Sequence, residues 1–217
     1  AHEHDPHPQP DDRRTGQHED REPDRAPQVD PDDERLAAEP VEIGIGYLGQ
    51  AGVRSKLSLA EQPAENDGVA GARLAIEDNN TTGRFLNQRF TLEEVRLKDG
   101  DDVGKSATAL AARNGFIIAD LPADALLKAA DALRGSKTVL LNAGSTDDRL
   151  REQDCRANVV HVAPTRSMLA DALAQYLAWK QWKRWLLVVG SHPADKLWAD
   201  ALRRAATLGD GWLPWQT

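Results

Sequence analysis

A glycine pattern near the start of the structured part of the sequence could bind a dinucleotide. Gly44, Gly46 and Gly49 have the spacing G-x-G-x-x-G. In dinucleotide-binding proteins this motif forms a tight turn that opens a helix, whose terminal amides hold the pyrophosphate. Here the next helical pattern begins only near Asn66, and Gly44 and Gly46 lie inside a predicted strand. A Rossmann-type NAD(P)-dependent enzyme therefore stays open as the less favoured alternative.

Other reactive residues occur without the partners that catalysis needs. Cys155, the only cysteine, could act as a nucleophile with His161 as its base. His161, however, lies in the apolar run 159–162, which favours a half-buried strand histidine, and no carboxylate is indicated to orient it. The pairs Asp101-Asp102 and Asp147-Asp148 are more typical of solvated loop or cap carboxylates than of a general acid and base. The sequence therefore favours a protein that is not an enzyme.

Small and polar residues follow three of the predicted strands. Because the carboxyl ends of parallel strands meet at one edge of a sheet, these residues could line a ligand crevice there. A hydroxyl group, an aromatic ring and backbone amides can hold the carboxylate or amide of a small molecule. The alternative, that they are ordinary turn and cap residues, stays open. The candidate binding residues are Tyr47, Asp120, Leu121, Asn142, Ala143, Gly144 and Ser145.

Strand patterns alternate with amphipathic helix patterns from Val41 onward. Strands are predicted over 41–48, 90–97, 116–120, 138–142, 159–162 and 185–189. Helices are predicted from a cap at Asn66 or Asp67 to a stop at 79–83, and over 103–112, 124–133, 167–179 and 193–206. This alternation is typical of right-handed βαβ units. We therefore predict an α/β fold with a mostly parallel sheet covered by helices on both faces.

The formal charge of the chain resides in its first 40 residues. They hold 13 acidic residues, 5 arginines and 7 of the 12 prolines, which accounts for the whole net charge of -8. Such a segment buries too little apolar surface to offset the entropy of ordering, so we expect a disordered tail. Its histidines could scavenge metal ions, although a tail without function is favoured. The neutral remainder of the chain argues against a nucleic-acid partner, and the sequence has no apolar run of membrane-spanning length. These histidines are His2, His4, His7 and His18.

The order of these patterns resembles a known family of binding proteins. A strand, a long loop, a helix ending in residues 75–80, a strand, and later the segment 142–150 resemble the type I periplasmic binding proteins, the leucine/isoleucine/valine-receptor-like subunits of ABC transporters. The resemblance covers about residues 41–206. Segments 78–86, 118–121, 154–158 and 168–185 look most like the branch linked with PQQ-dependent alcohol oxidation.

The resemblance implies a two-lobed receptor that closes on a small molecule and delivers it to a membrane permease in the periplasm, without catalysis. The first lobe would be residues 41–163, and residues 164–217 would form the crossover and an incomplete second lobe. Thr165 would lie near the crossover and join the seven candidate binding residues. No cofactor is implied, although PQQ or a related aromatic acid is a possible bound ligand beside an amino acid. A ligand-sensing regulatory domain on the same fold stays open as an alternative.

Two departures from the family bear on these expectations. Many relatives have an aromatic residue after the first strand of the second lobe, whereas residues 191–195 contain no tyrosine, which puts an ordinary amino-acid ligand in question. The chain also has only about one βα unit beyond the crossover, and it begins at Ala1 rather than at methionine. We therefore expect a truncated or processed chain, from which a signal peptide could have been removed.

Overall fold

The computed structural model describes residues 39–50, 66–182 and 184–208. They belong to one of the two compact units into which the chain divides, residues 38–217. The tail predicted over residues 1–40 lies outside the described residues except for its last two. The long loop expected after the first strand also lies outside them, from residue 51 to residue 65. The lobe boundaries at residues 40 and 163 stay predictions.

Five parallel strands form one sheet in the order β2-β1-β3-β4-β5. The predicted parallel α/β sheet is thereby confirmed. Strand β2, in which exposed and half-buried residues mostly alternate, lies at one edge of the sheet. Because β1, β3 and β4 are consecutive neighbours, their carboxyl ends lie side by side. The strands are β1 Val41–Gln50, β2 Gln88–Leu97, β3 Phe116–Asp120, β4 Val139–Asn142 and β5 Val159–His161.

Helices cover both faces of this sheet. Successive side chains of a strand point to opposite faces, so neighbouring residues of β1 belong to different layers. Tyr47 packs with Val69 and Ala72 of the first helix, whereas Leu48 packs with the second and third helices. The predicted covering of both faces is therefore confirmed. The helices are α1 Val69–Gly83, α2 Val103–Ala111, α3 Ala123–Ala132, α4 Arg166–Trp179 and α5 Pro193–Leu208, with short 3-10 turns at Arg84–Leu86 and Asp148–Arg151.

The main hydrophobic core lies between the sheet and helices α2 and α3. Its large apolar side chains are fully buried and come from β1, β3 and β4 as well as from both helices. Burial of one leucine or isoleucine side chain contributes about 1.5–3 kcal/mol. This layer therefore fixes the three strands whose carboxyl ends bear the candidate site. The fully buried members are Leu48, Leu110, Ile117, Leu126 and Leu140.

Helix α1 begins and ends later than the sequence predicts. Its N-cap is Gly68, with a φ of 81° and no side-chain cap bond, rather than Asn66 or Asp67. Its polar segment 79–83, predicted to stop the helix, is its last turn. The side chain of Asn80 instead bonds the backbone of Phe90 in β2, at 2.9 Å to the carbonyl and 2.8 Å from the amide. This contact explains why a polar run continues the helix.

Helices α4 and α5 pack closely on each other through small residues. Ala170 and Ala174 of α4 meet Ala201 and Ala205 of α5, and Arg204 lies 2.7 Å from Asp171. Alanines allow the two helix backbones to approach, which explains the tight contact. The helices predicted over 167–179 and 193–206 are confirmed.

The strand predicted over residues 185–189 is not formed. The segment has no regular secondary structure, although its side chains alternate as in a strand. Trp185 packs against α4 and α5, while Leu186 and Val188 are 88% and 85% exposed. A strand requires a hydrogen-bonded neighbour, and within the described ranges no segment pairs with this one. The apolar run predicted a strand from its own residues, but the pairing depends on residues elsewhere.

None of the helices in the described ranges is long and apolar enough to cross a lipid bilayer.

Candidate functional site

The three glycines of the dinucleotide-like pattern all lie within strand β1. A β-carbon at Gly44 would stand 2.7 Å from Oδ1 of Asn114, and one at Gly46 would stand 3.1 Å from Ile117. At Gly49 the ring of Tyr47 occupies the same space, at 2.7 Å. The glycines therefore permit close packing of the strand and do not form the turn that holds a pyrophosphate. The geometry disfavours the Rossmann alternative.

Tyr47 and Asp120 meet at the carboxyl edge of the sheet. Tyr47 lies near the end of β1 and Asp120 is the last residue of β3, and the tyrosine hydroxyl donates a 2.8 Å hydrogen bond to Oδ2 of the carboxylate. The Tyr47 side chain is buried and the Asp120 side chain half-buried. Burial and, after it, this hydrogen bond raise the pKa of Tyr47 well above its ordinary value. The hydroxyl therefore stays protonated and donates to an acidic partner.

Two glycines approach the Asp120 carboxylate from different chain segments. A β-carbon at Gly68, before helix α1, would overlap Oδ2, and one at Gly144, after β4, would stand 2.5 Å from Oδ1. The positive φ of Gly68, 81°, is a conformation that other residues rarely adopt. The structure thus brings Tyr47, Asp120 and Gly144 together as the sequence predicts. It adds Gly68, which the sequence analysis missed although a glycine directly precedes the helical pattern.

Asn142 organises the turn that follows strand β4. Its side chain is 1% exposed. Its Nδ2 donates to the Ser145 carbonyl at 2.8 Å, and its Oδ1 accepts from the Ser145 amide at 2.9 Å. Nδ2 also lies 3.0 Å from Nδ1 of His161 in β5. Buried Asn142 therefore fixes the backbone of the turn and does not face a ligand directly.

His161 is the partly buried strand histidine that the apolar run predicts. Burial lowers its pKa, and the positive charge of Arg151 lowers it further. The ring is therefore neutral near pH 7. Cys155 is exposed, whereas Nδ1 of His161 contacts Asn142 and Nε2 is buried, so the geometry does not support the thiolate and base pair.

The amides of this turn are partly used within the protein. The Ala143 amide bonds the Ala119 carbonyl at 3.0 Å, extending the sheet, and the Ser145 amide is bonded to Asn142. The amide of Gly144, beside Asp120, has no acceptor in the described part of the chain. Leu121 is 2% exposed and belongs to the core, so its side chain supports the site from below.

Thr165 lies at the start of helix α4 and acts as its N-cap. Its Oγ1 accepts from the Met168 amide at 3.2 Å. Burial alone would raise the pKa of Asp148, but hydrogen bonds from Thr165 and Ser167, with the charge of Arg166, hold it below its ordinary value. The Arg166 amide also donates to the Thr146 carbonyl at 2.7 Å. Thr165 is therefore joined to the candidate turn through neighbouring residues, and no direct contact joins it to Tyr47 or Asp120.

Arg149 fixes the far side of the same turn. Its guanidinium group lies 3.2 Å from Asp147 and 3.6 Å from Asp154, and it forms a short ion pair with Asp124 of helix α3. These contacts hold the chain from 147 to 154 against α3. The sequence analysis did not single out Arg149, because an arginine among scattered acids has no periodic signal.

Two other features of the described residues, possible metal ligands and a separate groove, do not include the candidate binding residues. The described residues contain no group of three or more histidine, cysteine or acidic side chains that could hold a metal ion, and the four tail histidines lie outside them. A groove of about 620 Å³ runs along α2, lined by Lys105, Thr108 and Ala132 among others. None of the predicted site residues lines it. The carboxyl edge of the sheet therefore stays the candidate site.

Solved structures share this fold over much of the chain. An ABC transporter substrate-binding protein from Desulfitobacterium hafniense superimposes with a TM-score of 0.57 at 20% identity, over 82% of this chain and 52% of its own. An ABC transporter substrate-binding protein from Desulfitobacterium hafniense in complex with Leu superimposes with a TM-score of 0.57 at 19% identity. The match covers 81% of this chain and 49% of that structure. A branched chain amino acid ABC transporter periplasmic ligand-binding protein from Burkholderia xenovorans LB400 superimposes with a TM-score of 0.60 at 19% identity. The match covers 81% of this chain and 47% of that structure. At these identities the likeness concerns the fold, and this chain spans about half the length of each structure.

Comparison at the level of sequence identifies the family. A search of curated proteins found no matching relative. The family model described as periplasmic binding protein, however, matches residues 51–215, which is more than half of the chain. This agrees with the resemblance in the sequence and with the five-stranded parallel sheet. The chain belongs to the periplasmic binding protein family.

Proposed function

We propose that this chain is the solute-binding part of an ABC-type transporter and holds a small molecule at the carboxyl edge of its sheet. The observation that carries the proposal is the convergence of Tyr47, Asp120 and the Gly144 turn at that edge. These groups come from three strands that are neighbours only in the fold. Open parallel sheets bind ligands in this position, and membership of the family agrees with it.

The ligand that we propose first is an amino acid. Two of the compared structures bear on it: one is described as a branched chain amino acid transporter protein, and another as a complex with Leu. An ammonium group suits the Asp120 carboxylate, and the Gly144 amide, which has no acceptor among the described residues, suits a ligand oxygen. The two groups are close together, since a β-carbon at Gly144 would stand 2.5 Å from Oδ1 of Asp120.

A PQQ-like aromatic acid is the second ligand class and stays a prediction. It would need an aromatic ring for stacking and an arginine for its carboxylates. Arg166 and Trp198 supply such a pair, 5.9 Å apart. Arg166, however, is already bound to Asp148 at 3.3 Å. The site around Asp120 therefore supports an amino acid better.

We propose further that binding occurs without a chemical step. The hydroxyl of Tyr47 is bound to Asp120 and has a raised pKa, so it is a poor nucleophile. Delivery to a permease would place the protein on the outer side of the cytoplasmic membrane, in the periplasm. A regulatory ligand-sensing domain would use the same site, and an effector domain in the full gene would distinguish it.

A binding screen of the 217-residue chain tests the proposal. The panel is the 20 standard amino acids, PQQ and NAD(P)H, measured first by thermal shift and then by titration calorimetry. We expect at least one amino acid to raise the melting temperature and to bind with simple stoichiometry. Stabilisation by NAD(P)H alone would favour the enzyme alternative, and no binding by any amino acid or by PQQ would contradict the proposal.

A further inference from the structure

The side chain of Asn142 is bonded twice to the backbone of a single residue. Its Oδ1 accepts from the Ser145 amide at 2.9 Å, and its Nδ2 donates to the Ser145 carbonyl at 2.8 Å. We call these two bonds the Asn142 clamp. A backbone amide donates and a backbone carbonyl accepts, so the clamp fixes which end of the Asn142 side-chain amide carries the hydrogens.

The same contacts fix the position of the proton on His161. The Nδ2 group of Asn142 is a donor only, and it lies 3.0 Å from Nδ1 of the ring. Nδ1 therefore accepts and carries no proton, so the neutral ring holds its proton at Nε2. Both hydrogens of Nδ2 are then in use, one on the Ser145 carbonyl and one on the ring.

Protonation of His161 is incompatible with the Asn142 clamp. The second proton of the ring binds at Nδ1, where it would meet the Nδ2 group of Asn142, donor against donor at 3.0 Å. If the side-chain amide of Asn142 turned over to accept this proton, its Oδ1 would face the Ser145 carbonyl and its Nδ2 the Ser145 amide. Both bonds of the clamp would be lost. The protonated ring and the clamp therefore exclude each other.

The surroundings of the His161 ring keep the clamp closed near neutral pH. Strand β4 presents the uncharged Asn142 to the ring, and the 3-10 turn that follows β4 presents the backbone of Leu150 and the positive charge of Arg151. Nε2 is buried. Burial and the charge of Arg151 both oppose protonation, so we expect the ring to take up its second proton only below the ordinary histidine value of about 6.5.

We propose that His161 is a positioning residue that makes the turn after β4 sensitive to acid, because its protonation at Nδ1 opens the Asn142 clamp. The turn contains Gly144, where a β-carbon would stand 2.5 Å from Oδ1 of Asp120. An open clamp therefore loosens the segment that borders the candidate carboxylate. As a regulation of ligand binding the inference rests on the proposed function, whereas the change in the turn requires no ligand.

Two NMR measurements on the ligand-free 217-residue chain test this exclusion. The nitrogen-15 shifts of the His161 ring show which atom carries the proton, and we expect an unprotonated Nδ1 at pH 7.5. Hydrogen exchange of the Ser145 amide, corrected for the intrinsic effect of pH, measures the clamp. Its protection should fall about tenfold from pH 7.5 to pH 5.5, since the ring released from the clamp binds a proton with an ordinary pKa.

The matched control amide is that of Lys105, at the start of helix α2. It too is bonded to a side chain, Oδ1 of Asp102, at 3.0 Å. This bond involves no residue of the turn after β4, so its protection should be the same at both pH values. A fall confined to Ser145 would support the exclusion.

The variant His161→Asn separates the proton from the contact. Oδ1 of the new asparagine corresponds to Nδ1 in its distance along the side chain, accepts from Asn142 and does not titrate. The protection of the Ser145 amide should therefore be equal at pH 7.5 and pH 5.5. His192→Gln removes an exposed histidine and should retain the tenfold change. Thermal unfolding checks that both variants fold, and the measurements on the wild-type chain decide the question without them.

Calorimetry at the same two pH values tests the effect on the ligand. The probe is the tightest-binding amino acid of the panel. It should bind the wild-type chain about 2- to 10-fold more weakly at pH 5.5, the upper limit being the loss of clamp stability. The His161→Asn variant should bind it equally at both pH values.

The outcomes separate this inference from the proposed function. A proton on Nδ1 at pH 7.5, or a Ser145 amide whose protection is the same at both pH values, overturns the inference. Equal affinity at both pH values with a loosened turn overturns the regulation of the site alone. If no amino acid and no PQQ binds at pH 7.5, the proposed function fails, while the NMR results on the ligand-free chain still decide whether the proton and the clamp exclude each other.

Discussion

The hydroxyl of Tyr47 donates a 2.8 Å hydrogen bond to Oδ2 of Asp120, a residue 73 positions further along the chain. The bond joins β1 to β3 at the carboxyl edge of the sheet, and the tyrosine ring lies over Gly49 of its own strand. The same tyrosine therefore packs on its own strand and, through its hydroxyl, holds the carboxylate at which we propose that the ligand binds.

Replacing Tyr47 by phenylalanine should lower the free energy of unfolding by about 1–2 kcal/mol. The change keeps the buried ring and removes a hydrogen bond to a charged group. Urea denaturation measures it. The control is Tyr176→Phe, since Tyr176 is 50% exposed, and that variant should unfold as wild type does. Equal stability of the two variants would contradict the assigned contact.

Alanine at Gly144 or at Gly68 should destabilise the protein by about 1–3 kcal/mol, because the new methyl group meets the Asp120 carboxylate. At Gly68 the positive φ adds backbone strain. Thermal denaturation of the purified variants measures both changes.

The matched control for these glycines is Gly71→Ala in helix α1. Nothing lies within 4 Å of a β-carbon at Gly71, and alanine favours a helix over glycine. This variant should therefore gain about 0.5–1 kcal/mol. Wild-type stability of the Gly144→Ala and Gly68→Ala variants would show that the carboxylate is not confined between the two glycines.

His161 should make the stability depend on pH between about 7.5 and 5.5. Burial lowers its pKa in the folded protein, whereas the unfolded residue titrates near about 6.5. The contribution of the neutral ring is complete above that value. It is lost as the pH falls, because the unfolded chain binds the proton first. The free energy of unfolding should therefore decrease toward pH 5.5.

The variant His161→Gln should remove most of this pH dependence of the free energy of unfolding. The control variant His192→Gln, at an exposed position, should keep it. Carboxylates contribute little in this range: Asp131, for example, has its pKa held at about 2 by hydrogen bonds from Arg156 and Arg134. Urea unfolding at the two pH values measures the slope. An unchanged slope in His161→Gln would contradict the role given to burial.

Amide hydrogen exchange should distinguish residues 186–189 from strand β3. Residues 117–119 of β3 are paired on both sides, with β1 and with β4, and should exchange slowly. Residues 186–189 have no strand partner in the described ranges and should exchange orders of magnitude faster. Equal protection of the two segments would mean that the predicted strand is formed after all, with a neighbour outside the described residues.

Local patterns were enough to predict most of the fold. The alternation of apolar runs and helical spacing predicted β3 at Phe116–Asp120 without error and four helices within a few residues of their bounds. Errors arose where distant residues decide. Asn80 continues helix α1 by bonding β2, and residues 186–189 have no neighbouring strand in the described ranges. Neither fact can be read from the segment itself.

The sequence predicted which residues lie at the carboxyl edge of the sheet better than it predicted what each of them does, and the binding role of the candidate residues stays a prediction. Strand ends predict which residues reach the carboxyl edge, so Tyr47, Asp120 and Gly144 meet as expected. The role of each residue depends on how deeply it is buried and on its contacts with other segments of the chain. For that reason the sequence could not show that Asn142 supports the turn from within, or that Gly68 closes on the carboxylate.

Amide chemical-shift mapping by NMR tests the central claim most directly. The 217-residue chain is labelled with nitrogen-15 and titrated with the tightest-binding amino acid of the panel. The account predicts that the largest shifts occur at Asp120, Leu121, Gly144 and Ser145, with saturation at the calorimetric affinity. Shifts confined to the α2 groove around Thr108, with those four amides unmoved, would contradict it.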